Sequence, residues 1–235
     1  MVRERSVTIA EQTYRIPTAH ELGVGAWAWG DSFVWGFGKG YSETDVRDAF
    51  NATLDAGITF VDTAEMYGFG KSERYVGEFI KATNQRVYVA TKFFPIPIRL
   101  TKGQFMSALK GSLRRLGMDA VDLYQIHFPV PPMPVEHWAG ALADALDQGL
   151  IRAAGVSNYS REQTIRAHHT LEQRGYPLAS NQMEYSLLER KIERNGVKQA
   201  CDERGIKIIA YSPLGMGLLT GKYTVANPPP GTRNM

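Results

Sequence analysis

The sequence predicts an α/β chain of the parallel (β/α)8 barrel, or TIM-barrel type, that stops after the seventh strand. Three observations carry this. Seven short apolar runs recur along the 235 residues. Stretches with helical periodicity and helix-end signals separate them. The runs start about 30 residues apart, the length of one βα unit.

The elements follow in order. The first run is ELGVGAWAW (21–29), and Val46, Phe50 and Leu54 then mark a helix that Gly57 closes. ITFVDTA (58–64) and RVYVATKF (86–93) are the second and third runs. Thr101 and Gln104 have capping-box spacing, and Phe105, Leu109, Leu113 and Leu116 follow every three or four residues. Arg114 and Arg115 fall in the last turn of that helix, and Gly117 ends it. VDLYQIHF (121–128) and IRAAGVSNY (151–159) come next, then a second capping box at Ser160 and Gln163. ASNQMEY (179–185) and IKIIAYSPL (206–214) complete the series. The runs are nearly continuous rather than alternating, as in strands buried on both faces of a parallel sheet.

Residues 1–222 therefore read as one barrel domain lacking an eighth βα unit. Residues 223–235, ending NPPPGTRNM, read as a Pro-rich tail in loop or disordered form. A barrel that stops there leaves strand edges through which the chain can self-associate.

Composition narrows the partners. The formal net charge is +3 with both signs interleaved, so no basic block points to nucleic acid. No long apolar run points to a membrane span, and the N-terminus lacks a signal-peptide core. One cysteine, Cys201, excludes an internal disulfide framework. The expectation is a cytoplasmic protein, or one in an organelle stroma after removal of a transit peptide.

In a parallel barrel the reactive groups gather at the C-terminal strand ends. Those ends here carry Asp62, followed by Tyr67, then Lys92, His127, Ser157 and Asn158, Asn181 and Gln182, and Tyr211 and Ser212. One such residue is as well explained by a buried ion pair. Four titratable groups at successive ends are not.

The segments around these residues resemble the aldo-keto reductases. FVDTAEMYGFGKSE resembles the family's aspartate and tyrosine segment, VATKF its lysine strand and DLYQIHFP its histidine strand. VSNY, NQMEYS and IAYSPLGMGLLTGKY resemble its cofactor segments, in the family's order over nearly the whole chain. The resemblance implies an NADPH-dependent oxidoreductase that reduces an aldehyde or ketone to an alcohol, with no metal. It implies Tyr67 as general acid, Lys92 as the group that lowers its pKa, Asp62 as the lysine's partner and His127 as the group orienting the carbonyl. The chemistry suits these types: a phenol titrates at about 10, and an adjacent ammonium favours its ionised form.

By the same resemblance, Ser157, Asn158, Gln182 and Tyr211 bind the nicotinamide. Ser212, Leu214, Gly217 and Lys222 form the pyrophosphate loop. The family's contacts to adenosine and its 2′-phosphate lie beyond strand seven, so NADP preference is implied by the family alone. Trp27, Trp29, Phe93, Phe94 and Phe128 fall where they can wall an apolar pocket for a small-molecule carbonyl substrate. Alternatives are a non-catalytic nucleotide-binding subunit, an inactive truncated reductase, and an aldolase using Lys92 as a Schiff base.

Other signals fail. GFGKS (68–72) lacks the first glycine of a P-loop, and GLLTGKY lacks both that glycine and the terminal Ser/Thr. His168 and His169 are helix neighbours that do not share a face, so they do not make a metal site.

Overall fold

The computed structural model describes residues 7–9, 12–14, 22–224 and 226–228. Two antiparallel strands, β1 (Val7–Ile9) and β2 (Gln12–Tyr14), pair separately from the main sheet. The sequence reading did not foresee this hairpin. The main sheet contains β3 (Val24–Gly25), β4 (Phe60–Asp62), β5 (Tyr88–Phe93), β6 (Leu123–Ile126), β7 (Ala154–Ser157), β8 (Leu178–Glu184) and β9 (Lys207–Tyr211). Its seven strands lie in sequence order and every pair is parallel. This is the (β/α) barrel arrangement that the spacing of the runs predicts. All but one of the strands are shorter than their apolar runs, β8 keeping seven residues, and the first shrinks from nine residues to two.

The helices are α1 (Glu43–Asp55), α2 (Lys71–Lys81), α3 (Lys102–Leu116), α4 (Val135–Asp147), α5 (Arg161–Glu172), α6 (Lys191–Arg194) and α7 (Val197–Arg204). Thr101 Oγ1 accepts the Gln104 N–H at 3.2 Å, and Gln104 Oε1 accepts the Thr101 N–H at 3.1 Å. Ser160 and Gln163 cap α5 in the same reciprocal way. Gly117 ends α3 at φ 65, a conformation that disfavours a side chain.

The core lies between sheet and helices. Phe93, Phe105, Tyr124 and Trp138 are buried together there, with Phe93 and Trp138 ring centroids 5.0 Å apart. Helices α2 and α3 meet at Gly77, where an added Cβ would stand 2.5 Å from the Leu116 carbonyl oxygen.

Inside the barrel the parallel register sets Lys92 beside Gln125, Gln125 beside Gly155, and Gly155 beside Ser180. Ser157 stands beside Gln182 one layer higher. A Cβ on Gly155 would fall 2.9 Å from the Gln125 side chain, so glycine there makes room for an interior polar layer. β9 is less covered than the other late strands: Lys207 and Ala210 are exposed and Ile208 and Ile209 half-buried. Of the expected 223–235 tail, Thr224 and Asn227 form an isolated bridge, while residue 225 and residues 229–235 lie outside the described residues.

Candidate active site

The site is built on the alternation of strand residues. Lys92 points into the barrel because its neighbours Thr91 and Phe93 point out. Thr91 Oγ1 donates to Glu73, and Phe93 packs in the core. Lys92 is fully buried, and its ammonium meets three oxygens: Asp62 Oδ2 at 2.5 Å, the Thr63 carbonyl at 2.8 Å and the Tyr67 hydroxyl at 3.5 Å. Three N–H donors find three partners.

Asp62 is held from its other oxygen too. Gln182 Nε2 donates to Oδ1 at 3.0 Å, and Gln125 Nε2 lies 3.4 Å from it. Burial lowers the Lys92 pKa, but the Asp62 carboxylate and the phenol outweigh it and leave it above the ordinary lysine value. Lys92 is therefore a fixed cation and not a free amine.

Tyr67 arrives on a short turn, Tyr67–Gly70, that follows β4. Three successive residues of that turn, Gly68, Phe69 and Gly70, have positive φ, and the turn swings Tyr67 back over the barrel mouth. Trp27 stacks on the Tyr67 ring with centroids 5.8 Å apart. The Tyr67 pKa is raised. Burial raises it more than the Lys92 ammonium lowers it, and the nearby Asp62 charge adds to the rise. Lys92 acts on the phenol in the expected direction, lowering its pKa, but burial outweighs it in the free protein.

His127 follows β6, its N–H bonded to the Phe93 carbonyl at 2.9 Å. Its ring stands edge-on to Tyr67 with centroids 5.8 Å apart. Phe128 stacks on the imidazole at 4.8 Å and Phe94 meets it edge-on at 5.6 Å. Burial, reinforced by the Lys92 charge, lowers its pKa to about 3, so the ring is neutral at ordinary pH. Its Nδ1 is buried without a partner among the described residues.

The second half of the site shares Gln182. Ser157 Oγ donates to the Gln182 carbonyl at 3.0 Å and lies 3.0 Å from Asn158 Nδ2. The Tyr211 hydroxyl donates to Asn158 Oδ1 at 2.9 Å. Asn158 and Ser212 both have positive φ, at 61° and 51°, an uncommon state for non-glycine residues that turns each strand end sharply onto the rim. Beyond them Leu214 leads into the turn Gly215–Thr220, with Met216 and Gly217 at positive φ. Exposed Lys222 follows that turn.

The predicted pocket residues divide. Trp27, Phe94 and Phe128 surround Tyr67 and His127 at the mouth. Trp29 packs in the core against Phe50 and Phe79, and Phe93 against Phe105 and Trp138, so neither reaches the mouth. Asn181 also turns away, donating to the Tyr159 carbonyl and Thr164 Oγ1 on the helix side. Sequence reading missed Gln125, which its place two residues before His127 and level with Lys92 could have flagged. It also missed Glu65, whose carboxylate accepts the Phe94 N–H at 2.8 Å and pairs with Arg99.

The chain is thus a parallel barrel that gathers an Asp–Lys–Tyr cluster and a histidine at its C-terminal strand ends. The chain belongs to the aldo/keto reductase family, whose model matches residues 21–234. It is 41% identical over 228 residues to a chloroplastic pyridoxal reductase from Arabidopsis thaliana. That match spans 91% of this chain and 62% of the relative. The chain thus spans less than two thirds of that relative's length. A glycerol dehydrogenase from Gluconobacter oxydans aligns with TM-score 0.78 at 30% identity, covering 97% of this chain and 70% of that one. An aldo/keto reductase from Klebsiella pneumoniae, in complex with NADP and acetate, aligns with TM-score 0.69 at 30% identity over 85% and 66%.

No described helix is long and apolar enough to cross a membrane.

Proposed function

We propose that the protein reduces an aldehyde or ketone to an alcohol with NADPH, Tyr67 giving the proton. The observation that carries this reading is the buried Lys92 ammonium, fixed by Asp62 and 3.5 Å from the Tyr67 hydroxyl. The Klebsiella relative's complex with NADP supports the cofactor.

The residues present fit that cofactor. Ser157, Asn158 and Gln182 offer amide and hydroxyl groups at adjacent strand ends, suited to a carboxamide. The half-buried Tyr211 ring suits the face of a nicotinamide. Ser212, Leu214, Gly217 and Lys222 suit a pyrophosphate, with backbone amides on a tight turn and a cation beside them. NADPH bound there supplies the hydride.

The protein's own groups do the rest. Trp27, Phe94 and Phe128 exclude water from an apolar carbonyl substrate. Neutral His127 can donate a hydrogen bond to the carbonyl oxygen and orient it without competing for the proton. Tyr67 gives its phenolic proton to that oxygen as charge builds on it. Its raised pKa keeps the proton in place until then. The Lys92 ammonium then faces the phenolate, and Asp62 keeps the ammonium in position.

The same contacts weigh against a Schiff-base role, which needs an unprotonated and mobile lysine. The name of the Arabidopsis relative makes pyridoxal the first substrate to assay, and its chloroplast setting keeps an organelle open beside the cytoplasm.

The test is Tyr67→Phe in the full-length protein. Turnover should fall about 10²–10⁴-fold while NADPH affinity changes little, because the hydroxyl faces the carbonyl and not the phosphates. Turnover close to normal would remove Tyr67 from the role.

A further inference from the structure

A cavity of about 520 Å³ opens between the β5–α3 loop and α3, outside the catalytic rim. Three arginines line it: Arg99, Arg114 and Arg115. Two of them are paired with glutamates: Glu73 is fully buried behind Arg115, while Glu65 lines the cleft itself beside Arg99. Arg115 Nε donates to Glu73 Oε2 at 2.6 Å, and Glu73 also receives the Thr91 hydroxyl at 2.6 Å. Arg99 pairs with Glu65 and donates to the Phe94 carbonyl at 3.1 Å. Arg115 Nη2 also donates to Ser112 Oγ at 3.2 Å. Anchoring thus fixes each guanidinium while N–H groups such as those on Arg115 Nη1 are left to face the cleft.

The third arginine is uncommitted. Arg114 is exposed and makes no ion pair among the described residues. It folds toward the same point as Arg115. A Cβ on Gly111 would lie 3.8 Å from Arg114 Nη2 and 3.2 Å from Arg115 Nη1. Two guanidinium groups thus share the space that this glycine leaves empty. Helix α3, KGQFMSALKGSLRRL, has four cations and no carboxylate, so its own sequence offers Arg114 no counter-charge. One turn back on the cleft-facing side, the exposed Ser107 adds a hydroxyl. Guanidinium forks match the oxygens of a phosphoryl group, and a tetrahedral oxyanion can be held by two at once.

We infer that this cleft binds a phosphoryl group, with Arg114 as the free cation, Arg115 and Arg99 as pre-set donors and Ser107 as an auxiliary donor. The ligand is inorganic phosphate or the phosphate of a small ester. The site is separate from the rim residues that suit a cofactor pyrophosphate, and it stands or falls independently of the carbonyl-reduction reading.

Calorimetric titration of the purified full-length protein tests it, with potassium chloride holding ionic strength constant. Inorganic phosphate and phenyl phosphate are the probes, each run on the wild type and Arg114→Ala. Arg114 is exposed and unpaired, so its removal should leave the fold intact, which an unchanged melting temperature in chloride verifies. The expected result is saturable binding that weakens about tenfold or more in the variant, the scale of a lost charge-assisted hydrogen bond. Tighter binding of phenyl phosphate would identify an ester as the ligand, and equal binding the free ion. Equal affinity in wild type and variant, or no saturable binding to either probe, would overturn the assignment. If the arginines serve only the helix end, Arg114→Ala lowers the melting temperature equally in phosphate and in chloride, which also overturns it.

Discussion

At the scale of single residues, the site depends on which side of a strand each group faces. Lys92 and Phe93 are neighbours with opposite fates, one inside the barrel and one in the core. Strand parity makes this legible, and the same parity marks Asn181 as outward and Gln182 as inward. The set of catalytic residue types was legible; their protonation was not, because it depends on burial. His127 carries the clearest consequence. Its folded pKa of about 3 lies below the unfolded value of about 6.5. Between those values the unfolded chain binds the proton more readily, so stability falls as pH drops from 6.5 toward 3. Above 6.5 the contribution is complete. Melting temperature measured across pH 3–7 should therefore decline toward acid, and His127→Gln should flatten the decline. A His127→Gln curve parallel to the wild type would show that other groups cause it. The same shift predicts no histidine limb between pH 5 and 8 in the rate of carbonyl reduction.

At the scale of elements, backbone approach decides more than helix propensity. Gly77 lies in the middle of α2, where alanine would ordinarily favour the helix by about 1 kcal/mol. Its absent Cβ, however, would stand 2.5 Å from a carbonyl oxygen of α3, and overpacking of that kind costs about 1–3 kcal/mol. The clash should win. Gly77→Ala is expected to lower the denaturant midpoint, whereas Gly103→Ala, with its nearest neighbour atom at 3.8 Å, should be neutral or mildly stabilising. Equal effects at both positions would show that propensity alone governs. Helix ends were legible at Thr101, Ser160 and Gly117 because capping is local chemistry. The hairpin of β1 and β2 was not: two three-residue strands carry too little pattern to separate from a loop. Nor was the Glu65–Arg99 pair, since its partners are 34 residues apart and only the folded βα loops bring them together.

At the scale of the whole molecule, the sheet order explains where function concentrates and where the surface is unguarded. Parallel strands in sequence order put every βα loop at one end, so residues from Asp62 to Tyr211 converge although 149 positions separate them in the chain (211 − 62). The sheet has two edges among the described residues, β3 and β9. β3 pairs over only two residues and offers little backbone. β9 is different: five of its residues pair with β8, its other backbone edge has no strand partner among the described residues, and Ala210 is exposed beside half-buried Ile208 and Ile209. Apolar strand edges with open backbone groups pair with other chains. We therefore propose that these 235 residues, expressed alone, self-associate through β9. Sedimentation velocity should show species heavier than the 26.2 kDa chain, increasing with concentration. Ala210→Lys places a charge at an exposed position of β9 and should shift the distribution toward monomer, while Lys198→Ala, on α7, should not. A chain that stays monomeric at every concentration would show that β9 is covered, and a self-association unmoved by Ala210→Lys would place the contact on another surface.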